Sequence, residues 1–223
     1  DIDGDGYREL FTGAPEDEGQ HLQDVYPTAA ARGGPGRFGL HPGGPMDEHS
    51  PLASRESAAR ILERWRFHWD MECPVLLEKS PPNLIRTRFL QRLFPGARFL
   101  LIVRHPVAVS YGTRGLRGPS LHALMSHWAT CHRRVLDDVP QLERARIVRF
   151  EDLIQRPDGV LDDLFRWLDL EPTPSAVQVR GDANRRHTDR WERLHRSPLT
   201  RGLARRLVRE FAAPAAALDY RLD

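Results

Sequence analysis

The sequence has a single lysine, Lys79, among 33 lysine and arginine residues. It is also poor in cysteine. Cys73 and Cys131 are the only two, and their separation fits neither a metal-ligand motif nor a disulfide framework. No apolar run approaches the ~20 residues of a membrane-spanning helix, and no signal peptide is present. From these absences we expect a cytoplasmic protein without a membrane partner.

The charge balance argues against a nucleic-acid partner. The formal net charge is only +2, because 31 acidic residues nearly balance the 33 basic ones. Bulk nucleic-acid binding relies on a large basic excess. The histidines give no metal motif either, since His122, His127 and His132 lie five residues apart and therefore spread around a helix. We expect no metal site. The sequence carries no signature of its oligomeric state.

Length and composition predict one domain, residues 1–223, with three regions. Residues 1–50 are rich in glycine, proline and acids, which is typical of loops. Residues 51–170 alternate apolar runs with amphipathic stretches and form the predicted core. Residues 171–223 contain a basic segment followed by a helix.

Three short apolar runs predict buried strands at residues 74–78 (PVLLE), 97–103 (ARFLLIV) and 145–150 (ARIVRF). Amphipathic periodicity predicts helices at residues 50–71, 83–96, 119–139, 160–170 and 199–213. Continuous apolar strands separated by helices are typical of a parallel sheet covered on both faces. The predicted fold class is therefore α/β, a three-layer sandwich with a parallel sheet.

Charged side chains follow all three predicted strands. Lys79 follows the first, Arg104 with nearby hydroxyls the second, and Glu151 and Asp152 the third. Ligands of open parallel sheets bind beyond the carboxyl ends of the strands, and cations with hydroxyls suit phosphate or sulfate. The alternative is that Lys79 and Arg104 only balance these carboxylates and Glu78.

The run PVLLEKSPPNLIRTRFLQRLFPGARFLLIVRHPVAVS (residues 74–110), followed by RFEDL (149–153), resembles the bacterial-type sulfotransferase family. The resemblance covers about residues 74–170, and the order and spacing of the pieces carry it. Members of this family use 3′-phosphoadenosine 5′-phosphosulfate (PAPS) as co-substrate. The resemblance implies their P-loop NTPase-like three-layer sandwich, a PAPS site without a metal, and an acceptor-side role for the loop-rich residues 1–50.

The resemblance also suggests cofactor-binding residues. Arg104 and Ser110 resemble the pair that binds the 3′-phosphate, through a guanidinium fork and a hydroxyl at a helix start. Only six positions separate them where many members have eight, so Thr113 is an alternative to Ser110. The segment RGDANRRHTDRW lies where the family often has a basic, mobile segment over the cofactor. There Arg185 and Arg186 could neutralise the phosphate, or form a solvated loop.

Two residues are predicted to be catalytic. Lys79 resembles the family lysine that stabilises the transferring sulfuryl group, and a compact ammonium can follow that group better than a planar guanidinium. Several family branches carry their general base on the loop after the first helix, and EDEGQHLQ lies near that place. We choose Glu18, with Asp17 and His21 as alternatives. Glu78 is expected to point to the opposite face of its strand and to be structural.

The family begins with a strand and a PRSGTT-like loop that wraps the 5′-phosphosulfate, and this sequence shows no such segment. The chain is therefore either a fragment, which we favour, or a degenerate relative. The sequence predicts a PAPS-dependent sulfotransferase acting on a hydroxyl or amine of a small-molecule, glycan or peptide acceptor. The alternative is a non-catalytic nucleotide- or anion-binding relative, or a fragment with an incomplete cofactor site. A kinase is disfavoured because no GxxxxGK[ST] motif is present.

Overall fold

The computed structural model describes residues 18–114, 118–172 and 181–223. These residues fall into two compact units. The first unit contains the chain up to Ala97 together with Asp137–Arg144, and the second contains Arg98–Leu136 and Ala145–Asp223. Within the described ranges, no helix has the length and apolar character needed to cross a lipid bilayer.

The first unit contains the helices α1 (Arg55–Trp65) and α2 (Thr87–Leu93). Short 3-10 helices lie at Gly19–His21, Ala30–Arg32, Phe38–Leu40, Pro81–Ile85 and Val139–Gln141. Helix α1 starts at Arg55, five residues after the predicted start at residue 50, because the Ser54 hydroxyl accepts the N–H of Ser57 at 3.1 Å and so caps the helix. Its buried residues are Ile61 and Trp65.

The second unit contains both strands of the described chain and most of its α-helices. Its elements are β1 (Phe99–Val103), α3 (Pro106–Thr113), α4 (Leu121–Asp138, whose last two residues belong to the first unit), β2 (Ala145–Arg149), α5 (Phe150–Gln155), α6 (Pro157–Trp167), α7 (Arg185–Arg196) and α8 (Arg201–Ala216). Helix α7 packs against both α3 and α8. The basic segment that follows residue 180 is therefore helical from Arg185 onward.

Strands β1 and β2 pair in parallel, with Phe99 opposite Ala145 and Val103 opposite Arg149. Both lie where the apolar runs predicted them. The two chain segments that leave the strands, Arg104–His105 and α5, therefore begin at the same edge of the sheet. The core of this unit includes Val103, Val107, Tyr111, Leu121, Met125, Trp128, Trp191, Leu207, Phe211, Leu218 and Tyr220.

The predicted strand at residues 74–78 is wrong. Residues 74–80 form no strand, and the side chains of Val75 and Leu77 are exposed, the latter to 76%. A strand of a parallel sheet needs a neighbour that supplies hydrogen bonds and elements that cover its apolar side chains. No described strand pairs with this segment, so the parallel sheet has two strands within the described chain instead of three.

Candidate active site

The two residues predicted to be catalytic, Lys79 and Glu18, are in contact in the first unit. The Lys79 Nζ atom lies 3.3 Å from Glu18 Oε1 and donates a hydrogen bond to it. The two side chains differ in exposure, with 58% of the Lys79 side chain and 5% of the Glu18 side chain accessible. The pair thus combines a buried carboxylate with an ammonium that faces solvent.

Gln20 fixes the Glu18 carboxylate through the oxygen that does not contact Lys79. The Gln20 amide donates to Glu18 Oε2, and its carbonyl oxygen accepts the N–H of Ala29 at 2.7 Å. The Trp65 indole N–H donates to the Gly19 carbonyl at 2.9 Å. Because these partners are buried and Trp65 lies 46 residues from Gly19 in sequence, they hold the Glu18 backbone on the body of the first unit.

The alternative bases receive less support. Asp17 lies outside the described residues, and the His21 side chain is exposed. The expectation that Glu78 points away from this region does not hold. Its side chain is mostly buried and lies so close to Gly19 that a methyl group there would come within 2.6 Å of Glu78 Cγ.

Arg104 lies directly after β1 in the second unit, and three groups orient its guanidinium. Its Nε donates to Asn184 Oδ1 at 2.8 Å and its Nη2 to the Ala183 carbonyl at 3.2 Å. Its guanidinium carbon sits 4.4 Å from the centre of the Phe150 ring, a cation–π contact. Partial burial lowers the pKa of Arg104, nearby Glu151 opposes this and nearby Arg186 adds to it, but a guanidinium remains charged at physiological pH.

Glu151, from the RFEDL motif, organises this region. Its carboxylate accepts the Asn184 amide at 2.6 Å, the Tyr220 hydroxyl at 2.7 Å and the His105 N–H at 3.1 Å. Burial alone would raise its pKa, but these hydrogen bonds outweigh burial and lower the pKa below the ordinary value. Glu151 is therefore a fixed negative charge that positions the Arg104 region.

Ser110 lies on α3, and only 1% of its surface is exposed. Its Oγ has no hydrogen-bond partner among the described residues. A buried hydroxyl without a partner is unfavourable, so a ligand oxygen would fit this atom. Thr113, the alternative, is half-buried at the last position of α3.

Arg185 and Arg186 occupy the first turn of α7, and both are exposed. The residue before them, Asn184, does not cap the helix with its side chain, because its amide is committed to Arg104 and Glu151. Burial and the nearby cations Arg186 and Arg104 lower the pKa of His187. Cations at the positive end of a helix dipole repel it, and a bound anion would relieve that repulsion.

Trp191 packs in the core of the second unit and does not line the region around Arg104, Arg185 and Arg186. Its surface is 8% exposed, and its indole N–H donates to the Leu222 carbonyl at 3.1 Å. Within the ranges that the structure covers, no cluster of histidine, cysteine and acidic side chains is arranged to hold a metal ion.

Two orienting residues, Gln20 and Asn184, were not predicted from the sequence. Asn184 lies in a Gly-Asp-Ala-Asn stretch that indicates only a turn. Its role depends on partners 80 and 33 residues away in sequence, and no local pattern shows them. Gln20 lies in a polar loop, and no local pattern shows that its side chain contacts Glu18 and Ala29.

Known sulfotransferases are similar to this chain in sequence. Residues 16–174 match the model of the family described as the Sulfotransferase family. The omega-hydroxy-beta-dihydromenaquinone-9 sulfotransferases Stf3 of Mycobacterium bovis and Mycobacterium tuberculosis are each 27% identical to it over 153 residues. The alignment covers 58% of this chain and 39% of each relative, so the chain spans about two fifths of their length.

In structure, the chain is similar to the sulfotransferase domain from the curacin biosynthetic pathway. The TM-score is 0.52 at 21% identity, over 76% of this chain and 69% of that domain. The likeness shows the fold, which is the α/β fold with a parallel sheet that the sequence predicted.

Proposed function

Because this chain belongs to the sulfotransferase family, we propose that it transfers a sulfuryl group from PAPS to a hydroxyl or amine acceptor. The observation that carries the proposal is the contact between the Lys79 ammonium and the buried Glu18 carboxylate, 3.3 Å apart. A cation and a base held together are the two groups that sulfuryl transfer to a hydroxyl requires.

When bound, PAPS supplies an activated sulfur whose bond to the phosphate oxygen breaks as the acceptor oxygen or nitrogen bonds to it, leaving adenosine 3′,5′-bisphosphate. Glu18, as a carboxylate, accepts the proton that the acceptor loses. Lys79 stabilises the negative charge that grows on the leaving oxygen and on the sulfuryl oxygens, an interaction stronger in the transition state than in the ground state. Because the Lys79 side chain is 58% exposed, its flexible stem can follow the transferring group.

The proposed 3′-phosphate site is in the second unit and consists of Arg104, Ser110 and the first turn of α7 with Arg185 and Arg186, with Thr113 as the alternative hydroxyl. Two observations support the fit. The Ser110 hydroxyl is buried without a partner among the described residues, and the α7 start carries cations without a side-chain cap. Both features suit a phosphate dianion better than solvent.

The proposed acceptors are small molecules, glycans and peptides. The two curated relatives are named for a hydroxylated dihydromenaquinone, so a hydroxyl on a small molecule is the first acceptor class to test. We place the reaction in the cytoplasm, as the low cysteine count predicts. A non-catalytic nucleotide-binding role is the alternative, and no structural observation favours it.

Calorimetric titration with adenosine 3′,5′-bisphosphate, and separately with ATP, tests the donor site. We expect the bisphosphate to bind without Mg²⁺ and Arg104→Ala to weaken binding at least about tenfold. Arg205→Ala is the matched control, because Arg205 is an exposed arginine of α8. Preferred, Mg²⁺-dependent ATP binding would instead indicate phosphoryl chemistry.

Sulfuryl transfer from radiolabelled PAPS to a panel of hydroxyl and amine acceptors then tests catalysis. Transfer that is lost in Lys79→Ala and in Glu18→Gln supports the proposed enzyme. Bisphosphate binding without transfer to any acceptor would support the non-catalytic alternative.

A further inference from the structure

Glu78 immediately precedes Lys79 and is enclosed by hydrogen-bond donors. The Ser80 hydroxyl donates to Glu78 Oε1 at 2.5 Å, and the Asn83 amide donates to Oε2. Burial raises the pKa of Glu78, while the Ser80 and Asn83 hydrogen bonds and nearby Arg86 oppose that rise. A buried carboxyl group is unfavourable unless its oxygens are satisfied, and here both are.

The same group contacts the segment that carries Glu18. The Ser80 Oγ that donates to Glu78 also accepts the N–H of Gln20 at 3.2 Å, across 60 positions of sequence. Gly19 lies so close to Glu78 that an added Cβ would be 2.6 Å from Glu78 Cγ and 2.9 Å from Oε1. Only glycine allows the backbone to approach the carboxyl group this closely. Glu78 therefore packs directly against the backbone of residues 18–20.

We propose that Glu78 is a positioning residue that, through Ser80 and its contact with Gly19, fixes the Glu18 carboxylate opposite the Lys79 ammonium. Two adjacent side chains then act on the loop that carries Glu18. Glu78 packs against the backbone of that loop at Gly19, and Lys79 contacts the Glu18 carboxylate. Glu78 does not touch the reacting atoms. The geometry stands without the proposed function, whereas its meaning for turnover rests on that function.

Charged and titratable groups around Glu78 come from several segments. Glu18 and Arg86 act on the carboxyl group electrostatically, and burial, followed by the nearby Glu78 charge, raises the pKa of the Tyr26 hydroxyl. The arrangement is a compact polar cluster in which moving one member shifts the others. Removing Glu78 should therefore displace Glu18 from Lys79 even though the two residues of the ion pair are intact.

The single lysine gives a direct test in this chain. An amine-reactive acylating reagent can modify only Lys79 and the terminal amine, and mass spectrometry of the peptide spanning Lys79 separates the two. The hydrogen bond to Glu18 occupies the Lys79 amine and must break before the amine can attack the reagent. We therefore expect Glu18→Gln to raise the Lys79 labelling rate by about twofold to fivefold. Glu78→Ala should raise it similarly, and Ser80→Ala in the same direction by less.

The double variant Glu18→Gln/Glu78→Ala distinguishes positioning from general loosening. If Glu78 acts through Glu18, the double variant labels no faster than Glu18→Gln alone, because interacting residues are not additive. Unchanged labelling in both Glu78→Ala and Ser80→Ala, or fully additive rates in the double variant, would overturn the inference. Glu63→Ala, which changes an exposed glutamate of α1, is the matched control. If Glu78→Ala fails to fold by circular dichroism, Ser80→Ala and its double with Glu18→Gln replace it.

Sulfuryl-transfer kinetics separate this inference from the proposed function. Glu78→Ala should lower kcat while leaving the affinity for adenosine 3′,5′-bisphosphate unchanged, because the proposed phosphate ligands belong to the second unit. A wild-type chain that binds no bisphosphate and transfers no sulfate contradicts the proposed function, while the labelling result still decides the role of Glu78.

Discussion

Arg104 and Glu151 are joined through one side-chain amide and form no direct ion pair. Asn184 stands between them, accepting from Arg104 Nε at 2.8 Å and donating to Glu151 at 2.6 Å. A direct bidentate pair would neutralise the guanidinium and occupy its donors. The intervening amide fixes the orientation of Arg104 and leaves its charge available for an anion.

Asn184→Ala should weaken the binding of adenosine 3′,5′-bisphosphate by about tenfold, because Arg104 loses one of its orienting hydrogen bonds and Glu151 loses a donor. Calorimetric titration measures the change. Gln155→Ala, which alters an exposed amide at the end of α5, should leave the affinity unchanged. Equal affinity in Asn184→Ala and wild type would show that the amide does not orient the phosphate site.

Ser110→Ala should have opposite effects on the free and the ligand-bound protein. It removes a buried hydroxyl that has no partner among the described residues, so the free protein should be as stable or up to about 1 kcal/mol more stable. The rise in Tm on adding adenosine 3′,5′-bisphosphate should shrink, since the phosphate loses a donor. A ligand-induced rise equal to that of wild type would make Thr113 the better candidate.

Lys79→Arg should keep the fold and lose most turnover. Arginine retains the charge that pairs with Glu18, so Tm should stay within a few degrees of wild type. Its planar guanidinium cannot follow the transferring group as an ammonium can, and we expect kcat to fall about a hundredfold or more. Sulfation rates equal to those of wild type would remove Lys79 from the mechanism.

Two buried histidines of α4 should make the protein acid-sensitive. Burial lowers the pKa of His127 and of His132 to about 4, from an ordinary value of 6.5. The unfolded chain therefore binds these protons first, so the stabilisation is present above pH 6.5 and is lost as the pH falls toward 4. Each histidine contributes a slope of at most about 1.4 kcal/mol per pH unit.

Denaturant unfolding at pH 7, 6 and 5 measures this slope. His105 and His187, whose pKa values burial also lowers, act in the same direction. His127→Gln should flatten the dependence on pH by one histidine's share, whatever it does to stability at pH 7. Stability that is constant or rises between pH 7 and pH 5 would contradict the expected burial of these side chains.

Most of the fold follows from local patterns in the sequence. Both strands of the sheet were predicted from continuous apolar runs, and the five predicted helices all have helical counterparts. The strand at residues 74–78 was predicted in error because four apolar residues cannot show whether a neighbouring strand exists to pair with them. Strand formation is non-local, so a segment with the right composition but no partner strand leaves apolar side chains exposed, as Leu77 shows.

The site could be predicted only in part, for the same reason. The motif predicts Lys79 and the loop position predicts Glu18 independently, and the structure brings the two into contact across 61 residues of sequence. The alternation rule for strands places Glu78 on the opposite face, and it fails where no strand forms. Asn184 acts only through distant partners, and Gln20 joins its neighbour Glu18 to Ser80, 60 residues away. A single sequence contains no signal for such long-range contacts.

The uncapped start of α7 has a consequence for ligand choice. Trp191 in the core fixes the centre of this helix. At the exposed N-terminal end, Arg185 and Arg186 repel one another and the positive end of the helix dipole. Each negative charge placed there removes more of that repulsion, so a terminal phosphate monoester should be preferred over a phosphodiester of the same size. Occupancy would then depend on acidity near the second ionisation of phosphate, at a pKa of about 6, and the first turn of the helix would tighten only around the doubly charged form.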